Sequence, residues 1–510
     1  MTLSAQTWTV AVTRTRLIAA ATASQSRAHL RFPRTLWTAA TCSHPDLATA
    51  LSQCLPAPSS PPSLPGPSSD TKDSVTVILA SRSYPGSELL ALPTKVPSHV
   101  THTSFVIGAV VDRVPTKTGH GVSTLTLAPK TGSAFVSSRL IACQPFYLSG
   151  AESRRKRLKE KSVGKWARSQ DIQERSLDTS DAWSAFKSIS IGRNQVQVPA
   201  VALPISDPAS SSSSVPSSST STPSSVTATQ DILLISDLEV HQFLEALDVA
   251  NPRASKVGLL ASSTPFVTGK PVTMFYDGDV VQDGVLGVSL VVERDQKERP
   301  TTTATTTTVE YPTLAPLGPA MQVTRCRGNI ILELDESNAT RLLLDRLQAT
   351  TLTKDKEYFL ATGKPVQENN QNVNVDMSQA TVHKITGGDP SKGNMAVDTV
   401  HDINVGQWVQ FLHHDRNLNH GHFDESLLNN SNQLNYESMR FTATDPNNTL
   451  DGSIGEEQLQ QSSGRDDAEK EGREVSQCFG GSSENGFIAG QPGEQTWVCS
   501  ITDSALKHRF

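Results

Sequence analysis

Runs of apolar and β-branched residues, bounded by turn-forming residues, recur along the chain, and this pattern is typical of buried strands. The first run is SVTVILAS at 74–81, and a short helical stretch, SELLAL, follows it. Three more strands are predicted at 103–112, 121–129 and 139–148. This first ordered block is therefore expected to combine several strands with a helix.

A second block repeats this order. The strand DILLIS at 231–236 precedes DLEVHQFLEALDVA, whose large apolar residues lie mainly on one side and predict a helix over 237–250. Ser236 and Glu239 have the spacing of a capping box, in which the two side chains satisfy backbone donors at a helix start. The sequence thus predicts that this helix begins directly after the strand.

The second block continues with strands. The stretch SKVGLLASS at 255–263 predicts one strand, and 272–293 predicts a hairpin. Asp277 and Gly278 are expected at its tight turn, because an Asp-Gly pair adopts the positive φ angles that short hairpin turns require.

Three stretches of the first block match three of the second in the same order. The matched pairs are VTVILAS with DILLISD, SFVIGAVVD with SKVGLLASS, and GVSTLTL with LGVSLVV. We interpret the blocks as two related half-units on either side of a Ser-rich tract. The alternative is that buried strands of this length simply look alike. The strand order within each unit distinguishes the two interpretations.

A third block begins near 309 and contains the strand NIILEL at 329–334. Asp335 and Ser337 are residues that favour a helix start. The residues after them form an apolar stripe at helical spacing, namely Ala339, Leu342, Leu343 and Leu347. Two later stretches, 405–415 and 495–501, alternate as half-buried strands do. Strands and helices in all three blocks predict a mixed α/β fold.

Tracts rich in Ser, Thr, Pro or charged residues separate the blocks. Such tracts bury too little apolar surface to offset the entropy lost on ordering, so they are predicted to be linkers or disordered insertions. They lie at 51–74, 208–229, 298–308 and about 449–475. The remaining chain is expected to form three ordered blocks, at about 75–205, 230–297 and 309–510, the last of them interrupted.

The N-terminal residues 1–50 carry a distinct charge pattern. No acidic residue occurs before Asp46, Ser and Thr are frequent, and five arginines are spread along the stretch: Arg14, Arg16, Arg27, Arg31 and Arg34. This composition is typical of a mitochondrial presequence, and the arginines interrupt the apolar region that a secretory signal would need. The alternative is a disordered tail on a protein of the cytoplasm or nucleus.

Composition narrows the function classes. The net charge of −6 over 510 residues gives no reason to expect nucleic acid as a partner. The longest apolar runs are far shorter than the ~20 residues of a membrane helix. The six cysteines are widely separated and include no C-x-x-C pair, so the sequence indicates neither a disulfide framework nor a zinc site.

One histidine-rich segment has potential metal-binding chemistry. The sequence FLHHDRNLNHGHFDE at 411–425 contains imidazole and carboxylate groups that could bind zinc or copper. Its ligand candidates are His413, His414, Asp415, His420, His422 and Asp424. Adjacent histidines on a strand face opposite ways, however, and the rest of the segment has the composition of a loop. We therefore predict solvated histidines and no metal.

Three other features favour structural roles. Cys478 and Cys499 have no fixed histidine beside them, and a small buried hydrophobe is the expected role. The Gly-rich stretch 479–490 lacks the spacing of a phosphate-binding loop and is predicted to be a solvent-exposed turn. The basic stretch 153–168 is expected to be an exposed helix, with a nuclear import signal as the alternative.

The sequence resembles FIST (F-box and intracellular signal transduction) proteins. FVIGAVVD, KVGLLAS and YDGDVVQDGVLGVSLVV match the strand positions of the FIST N-terminal pattern. The stretch APLGPAMQVTRCRGNIILELDESNATRLLLDRL is similar to the start of the FIST C-terminal pattern. The matching residues are Pro316, Gly318, Val323, Thr324, Gly328, Asn329, Glu333, Leu334, Asp335 and Ala339. The resemblance implies a FIST N-terminal domain over 75–297 and a FIST C-terminal domain over 309–505.

The resemblance implies a non-enzymatic sensory protein for signal transduction, whose ligand is a small molecule such as an amino acid or related metabolite. Some eukaryotic relatives carry an F-box that docks a ubiquitin-ligase complex, but no F-box-like helical array is recognisable before residue 75. The stretch 258–266 is poorer in glycine than in relatives.

Ligands of sheets that contain parallel strands tend to bind where strands end. We therefore predict ligand contacts from Gly108, Ser262, Ser263, Thr264, Asn329 and Asp335, with no catalytic residue, metal or cofactor. Turn formation and capping are the alternative roles of Asn329 and Asp335. The alternative function is a protein-interaction adaptor or scaffold, related to ubiquitin ligases, that binds a protein partner without a small ligand. A hydrolase or metalloenzyme would rest on the histidine segment alone.

Overall fold

The computed structural model of the protein describes most of the predicted blocks. The described residues are 37–55, 74–96, 104–116, 118–128, 138–149, 190–191, 194–195, 226–295, 307–349, 357–368, 372–415, 438–445, 475–476 and 478–509. Except at their margins, the predicted linkers lie outside these residues, as do the basic stretch 153–168, His420, His422 and Asp424.

The described residues form four helices and a larger number of strands. The helices are α1 (Leu47–Cys54), α2 (Gly86–Lys95), α3 (His241–Ala250) and α4 (Ala339–Ala349). The first strands are β1 (Trp37–Cys42), β2 (Ser74–Ser81), β3 (Ser104–Val111), β4 (Val122–Leu127), β5 (Ser138–Leu148), β6 (Ser190–Ile191), β7 (Asn194–Gln195), β8 (Val226–Ser236), β9 (Ser255–Leu260), β10 (Met274–Tyr276), β11 (Asp279–Val281) and β12 (Val285–Asp295). The next are β13 (Thr307–Glu310), β14 (Leu314–Pro316), β15 (Met321–Arg327), β16 (Ile330–Leu334), β17 (Ser337–Asn338), β18 (Tyr358–Gly363), β19 (Pro365–Glu368), β20 (Asn372–Val375), β21 (Thr381–Asp389), β22 (Asn394–Val397) and β23 (Trp408–His414). The last are β24 (Ser438–Ala443), β25 (Val475–Ser476), β26 (Phe479–Ser483), β27 (Phe487–Gly490), β28 (Trp497–Cys499) and β29 (Ala505–Arg509).

Three four-stranded units share one strand order. Repeat I is ordered β3-β2-β4-β1, repeat II β9-β8-β12-β5, and repeat III β26-β24-β29-β13. In each repeat the first two strands of this order are parallel and the other neighbours are antiparallel. The stretches matched in the sequence therefore occupy equivalent strands of repeats I and II. Repeat III is a further copy that the sequence did not predict.

In chain order, a connection joins the third and fourth strands of each repeat, and this connection pairs with a strand of a neighbouring repeat. The hairpin β10–β11 belongs in sequence to repeat II but pairs with β3 of repeat I. The hairpin β27–β28 belongs to repeat III but pairs with β9 of repeat II. The shorter connection of repeat I makes one antiparallel bridge, Arg113 to Ser482, with β26 of repeat III. The three repeats are thus joined in a closed ring.

The inner strands β2, β3, β8 and β9 of this ring are buried on both faces. One face of each sheet contributes to a common core, through residues that include Val77, Leu79, Leu233, Ile235, Met439 and Phe441. The alternate residues of β2 pack with α1 and α2, and those of β8 pack with α3. Full burial of each such side chain stabilises the fold by roughly 1.5–3 kcal/mol. This double burial explains why the strand sequences are continuous apolar runs.

A closed antiparallel barrel is inserted in repeat III, between β13 and β24. Its six strands are hydrogen-bonded in the order β15, β16, β22, β21, β18 and β23, and β23 returns to β15. The helix α4 packs on this barrel through Ala339, Leu343 and Leu347, which belong to its hydrophobic core. The barrel therefore forms a core of its own beside the ring.

The predicted mixed α/β fold is wrong. Among the described residues, 52% lie in strands and 14% in helices. Only one strand pair in each repeat is parallel, whereas the barrel and the exchanged hairpins are antiparallel. The prediction failed because a buried strand has the same apolar run in parallel and antiparallel sheets. The strand-helix-strand pattern seen in a few segments was therefore wrongly assumed for the whole chain.

Two predicted helix starts are also wrong. The helix α3 begins at His241, and the Ser236 hydroxyl donates to the Gly284 carbonyl and takes no part in capping. Asp335 adopts a positive φ of 47° in a turn between strands. The cap of α4 is instead Asn338, whose side-chain oxygen accepts a hydrogen bond from the Arg341 N–H at 2.9 Å.

Two further sequence predictions can be compared with the structure. The hairpin turn is confirmed, because Asp277 and Gly278 both have positive φ, at 43° and 100°. Residues 37–50, which the sequence assigned to the presequence, form β1 and the start of α1, and Trp37 and Leu47 are buried. The mitochondrial location remains a prediction. Among the described residues, no helix is long and apolar enough to cross a bilayer.

Acid is expected to destabilise the barrel through His383. Burial lowers the pKa of His383 to about 4, whereas an unfolded histidine has a pKa of about 6.5. The unfolded chain therefore binds the proton first, and the stability contributed by neutral His383 is complete above pH 6.5 and is lost as the pH falls towards 4. We expect a loss of about 2 kcal/mol over this range.

This effect can be measured by urea denaturation between pH 7 and pH 4, together with NMR titration of the His383 ring. The variant His383→Gln should lose less stability than the wild type over the same range. Asp398 and His401 are the titratable neighbours of His383, so Asp398→Asn serves as a control for their contribution. Titration of the His383 ring at pH 6.5 or above would contradict the prediction.

Candidate ligand-binding site

The carboxyl-terminal ends of β3, β9 and β26 meet within the ring of repeats. The Ser262 N–H, after β9, donates to the Val110 carbonyl of β3 at 3.1 Å. The Asp112 N–H, after β3, donates to the Ser482 carbonyl of β26 at 2.9 Å. Because each strand end is bonded to the next, side chains from all three repeats are held close together.

Three of these side chains occupy equivalent positions. Asp112, Ser262 and Glu484 each lie four residues after a glycine that faces the parallel neighbour of its strand, namely Gly108, Gly258 and Gly480. We call the polar side chains at these ends the strand-end cluster. It comprises Arg82, Asp112, Ser262, Ser263, Thr444 and Glu484.

Ion pairs link the acidic members of the cluster. The Arg82 guanidinium contacts Asp112 Oδ1 at 2.8 Å and Glu484 Oε1 at 3.7 Å. The Thr444 hydroxyl donates to Asp112 Oδ2 at 2.9 Å. Both carboxylates are buried, with side-chain exposures of 6% for Asp112 and 10% for Glu484, whereas Arg82 is 20% exposed. Buried carboxylates need such partners, since an unpaired buried charge is costly.

Glu484 is only partly satisfied. Its Oε1 accepts a hydrogen bond from the Ser263 N–H at 2.7 Å. Its Oε2 is buried and accepts no hydrogen bond from the residues that the structure describes. The neighbouring Asn485 is already engaged, because its side-chain amide donates to the Ala261 carbonyl at 2.8 Å. Glu484 Oε2 is therefore an acceptor in need of a donor.

The structure places three of the predicted ligand residues at or beside the cluster. The Ser262 hydroxyl donates to Ser483 Oγ at 3.3 Å, and Ser263 contacts Glu484 as described. Thr264 lies next in sequence, but its hydroxyl is 2.8 Å from Thr273 Oγ1 and bonds within its own loop. Ser262 and Ser263 are thus brought together with charged groups, whereas Thr264 is satisfied locally.

The other predicted ligand residues lie elsewhere. Gly108 is in the middle of β3, paired with β2 and β10. Asn329 and Asp335 belong to the barrel, where the Asn329 amide donates to the Val397 carbonyl at 3.0 Å and Asp335 Oδ1 accepts from the Gln322 N–H at 2.8 Å. These contacts agree with the alternative role of Asn329 and Asp335, which is turn formation. Ligand contact by any of the six residues remains a prediction.

Sequence reasoning missed Glu484, Asp112 and Arg82. The stretch 479–490 was predicted to be a solvent-exposed turn, and this is wrong, because Phe479–Ser483 forms the fully buried strand β26. Glycine and serine here permit close packing between sheets, so the usual apolar signal of a buried strand is missing. Asp112 could have been found from the sequence. It ends the apolar run SFVIGAVVD, which was matched to the run SKVGLLASS that contains Ser262.

The histidine and cysteine candidates within the described residues are buried or half-buried. His413 and His414 end β23, and burial lowers the pKa of His414. Among the described residues, no group of three or more His, Cys, Asp or Glu side chains is arranged to hold a metal ion. Burial raises the pKa of Cys478 and Cys499 to about 11, so both thiols stay protonated near neutral pH.

Comparison with protein families identifies one domain. The model of the FIST N domain matches residues 150–337, a span that includes β8, β9, Ser262 and Ser263. The chain contains a FIST N domain. FIST domains are in general non-enzymatic sensory domains of signal transduction, and the match, which covers less than half of the chain, supports a FIST-domain protein. A search of curated proteins finds no match to the chain. The FIST C-terminal domain over 309–505 remains a prediction.

Proposed function

We propose that this FIST-domain protein is a non-enzymatic sensor that binds a small polar molecule at the strand-end cluster and transmits its presence to a partner. The ligand is an amino acid or a related metabolite, and binding uses no metal or cofactor. The observation that carries the proposal is the buried Glu484 Oε2, which accepts no hydrogen bond from any described residue where the ends of three repeats meet.

The chemistry of the cluster favours a ligand with an ammonium group. A carboxylate oxygen that lacks a donor in a buried site is matched by an N–H⁺ group at about 2.7–2.9 Å. Arg82, which keeps 20% of its side chain exposed, offers a guanidinium to a carboxylate of the same ligand. The ammonium group of a small zwitterion would thus contact Glu484, and its carboxylate would contact Arg82.

The location also suggests how binding is transmitted. The three strand ends are bonded to one another in sequence, from β9 to β3 and from β3 to β26. A ligand on Glu484 therefore contacts a strand of repeat III and, through Ser263, the end of β9 in repeat II. Binding would stabilise the ring because the ligand binds the folded state only.

Thermal-shift measurements with a panel of amino acids and related metabolites test the proposal. A ligand at 100 times its Kd should stabilise the wild type by about 2.7 kcal/mol. Glu484→Gln keeps the shape of the side chain but removes its charge, so affinity should fall at least about tenfold, as expected for a hydrogen bond to a charged group.

Glu310→Gln is the matched control. Glu310 is also a glutamate of repeat III in an ion pair, with Lys507 at 2.6 Å, but it is 44% exposed and lies outside the cluster. This variant should bind like the wild type. A panel that gives no stabilisation of the wild type, or equal binding by Glu484→Gln and the wild type, would refute the proposed site.

A further inference from the structure

A serine and a histidine are paired at the edge of the strand-end cluster. Ser83 directly follows Arg82, on the turn between β2 and α2, and its side chain is exposed. Its Oγ lies 2.5 Å from His120 Nδ1. His120 lies on the connection between β3 and β4, the one connection of the ring that is not extended into a hairpin. The other repeats lack this serine, because the positions equivalent to Ser83 are Glu239 in repeat II and Asp445 in repeat III.

The hydrogen bonds of His120 fix its tautomer. Nε2 lies 2.9 Å from the His44 carbonyl oxygen, and a carbonyl can only accept. Nε2 therefore carries the proton, and Nδ1 is left with a lone pair that accepts the Ser83 hydroxyl proton. Ser81 Oγ lies 2.8 Å from Ser83 Oγ, and the Ser81 hydroxyl itself donates to the Asp112 carbonyl at 3.1 Å. The chain of groups is serine, histidine and carbonyl, in which the third group orients the base.

The surroundings favour the neutral imidazole. Burial lowers the pKa of His120, and the ring packs against Tyr84 with centroids 4.2 Å apart. Tyr84 also donates to the His44 carbonyl at 2.8 Å, which holds the acceptor in place. A neutral, oriented imidazole near neutral pH is what a general base requires.

We propose that Ser83 is a nucleophile with His120 as its general base, and that the pair hydrolyses small esters with good leaving groups. Ser83 Oγ bonds to the carbonyl carbon while its proton passes to His120 Nδ1. The bond to the leaving oxygen then breaks, and that oxygen takes the proton. Water attacks the acyl-serine with His120 again as base, which releases the acid and restores Ser83.

The His44 backbone carbonyl, as the third group, limits the reactivity of the pair and hence the range of esters it can cleave. A backbone carbonyl stabilises the imidazolium less than the buried carboxylate of a full triad does, so the pair is a weaker catalyst and requires an activated ester. This activity goes beyond the proposed sensory function, which needs no bond to be made or broken. It adds a catalytic activity to a protein otherwise expected to be non-enzymatic.

A fluorophosphonate probe and p-nitrophenyl acetate test the inference on the full chain. Mass spectrometry should locate the phosphonate on Ser83, and p-nitrophenol release should show a burst as the acetyl-serine forms. Ser83→Ala should abolish both signals. His120→Asn should slow labelling at least about 100-fold, the usual contribution of a general base. The labelling rate of the wild type should rise with pH through a midpoint below 6.5, following the lowered pKa of His120.

Ser337→Ala is the matched control, because Ser337 is also an exposed serine, in the short strand β17 directly after a turn, and lies away from His120. This variant should label like the wild type. Thermal denaturation establishes that each variant is folded. Labelling spread over several serines, or an unchanged rate in folded His120→Asn, would overturn the inference. Ligand binding by Glu484 would be unaffected by that outcome, so the two proposals fail separately.

Discussion

Alanine at Gly108 is expected to destabilise the folded protein by about 3 kcal/mol or more. A Cβ atom at this position would lie 2.0 Å from the carbonyl oxygen of Ile78 on the parallel neighbour β2. The obstacle is backbone in the middle of two buried strands, so it cannot rotate away as a side chain could. The strands would have to separate, at the expense of their hydrogen bonds and packing. Urea and thermal denaturation of the variant measure the loss.

The same result is expected at the two equivalent glycines. A Cβ at Gly258 would lie 2.2 Å from the Leu234 carbonyl oxygen, and one at Gly480 would lie 2.1 Å from that of Arg440. If the three repeats are built alike, the three alanine variants should be destabilised to a similar extent. The comparison therefore tests the repeat architecture as well as a single contact.

Gly387→Ala provides the control. No atom lies within 4 Å of a Cβ built there, and the residue is exposed in the barrel. Its stability should change by no more than about 1 kcal/mol, with any gain due to the reduced entropy of the unfolded chain. Wild-type stability in Gly108→Ala, or a loss in Gly387→Ala as large as that in Gly108→Ala, would contradict the explanation.

The strands of repeats I and II could be predicted from sequence because their apolar runs are long and uninterrupted. The predicted strand at 74–81 coincides with β2, and that at 139–148 covers nearly all of β5. The same apolar runs, matched in order between the two blocks, also predicted that repeats I and II are related. Partner choice could not be predicted, since an apolar run does not specify whether its neighbour is parallel or antiparallel.

The third repeat was hidden for two physical reasons. Its strands β13 and β24 are separated by the whole barrel, so the repeat is not contiguous in sequence. Its strand β26 has the sequence FGGSS, in which small residues replace the usual β-branched ones because neighbouring sheets approach closely. Gly481 shows this approach, since a Cβ there would lie 3.1 Å from Leu79 and 3.4 Å from Leu259.

The candidate site was predictable only in part. Ser262 and Ser263 follow a clear apolar strand, and polar residues at strand ends are reasonable ligand candidates. Glu484 follows the unrecognised strand β26, so its relation to Ser263 depends on a contact between distant parts of the chain. The pairing of Ser83 with His120 depends similarly on two loops that meet only in the folded ring.

Asp248→Ala is expected to destabilise the protein by about 3–5 kcal/mol, because it leaves a buried lysine without its counter-ion. Lys256, on β9, is 0% exposed, and its Nζ lies 2.9 Å from Asp248 Oδ1 on α3. Asp248 also accepts a hydrogen bond from the Thr496 N–H at 2.7 Å. The carboxylate thus holds together the helix and third strand of repeat II and the hairpin that repeat III contributes to it. Urea denaturation measures the loss.

An exposed ion pair gives the matched control for this effect. Lys364 and Glu494 are 3.0 Å apart, but their side chains are 76% and 44% exposed, so Glu494→Ala should cost no more than about 1 kcal/mol. If the cost of Asp248→Ala comes from the stranded charge, then replacing Lys256 by Met in the same chain should recover part of the stability. An Asp248→Ala variant as stable as Glu494→Ala, or a double variant no more stable than Asp248→Ala, would show that the buried pair does not hold the ring together.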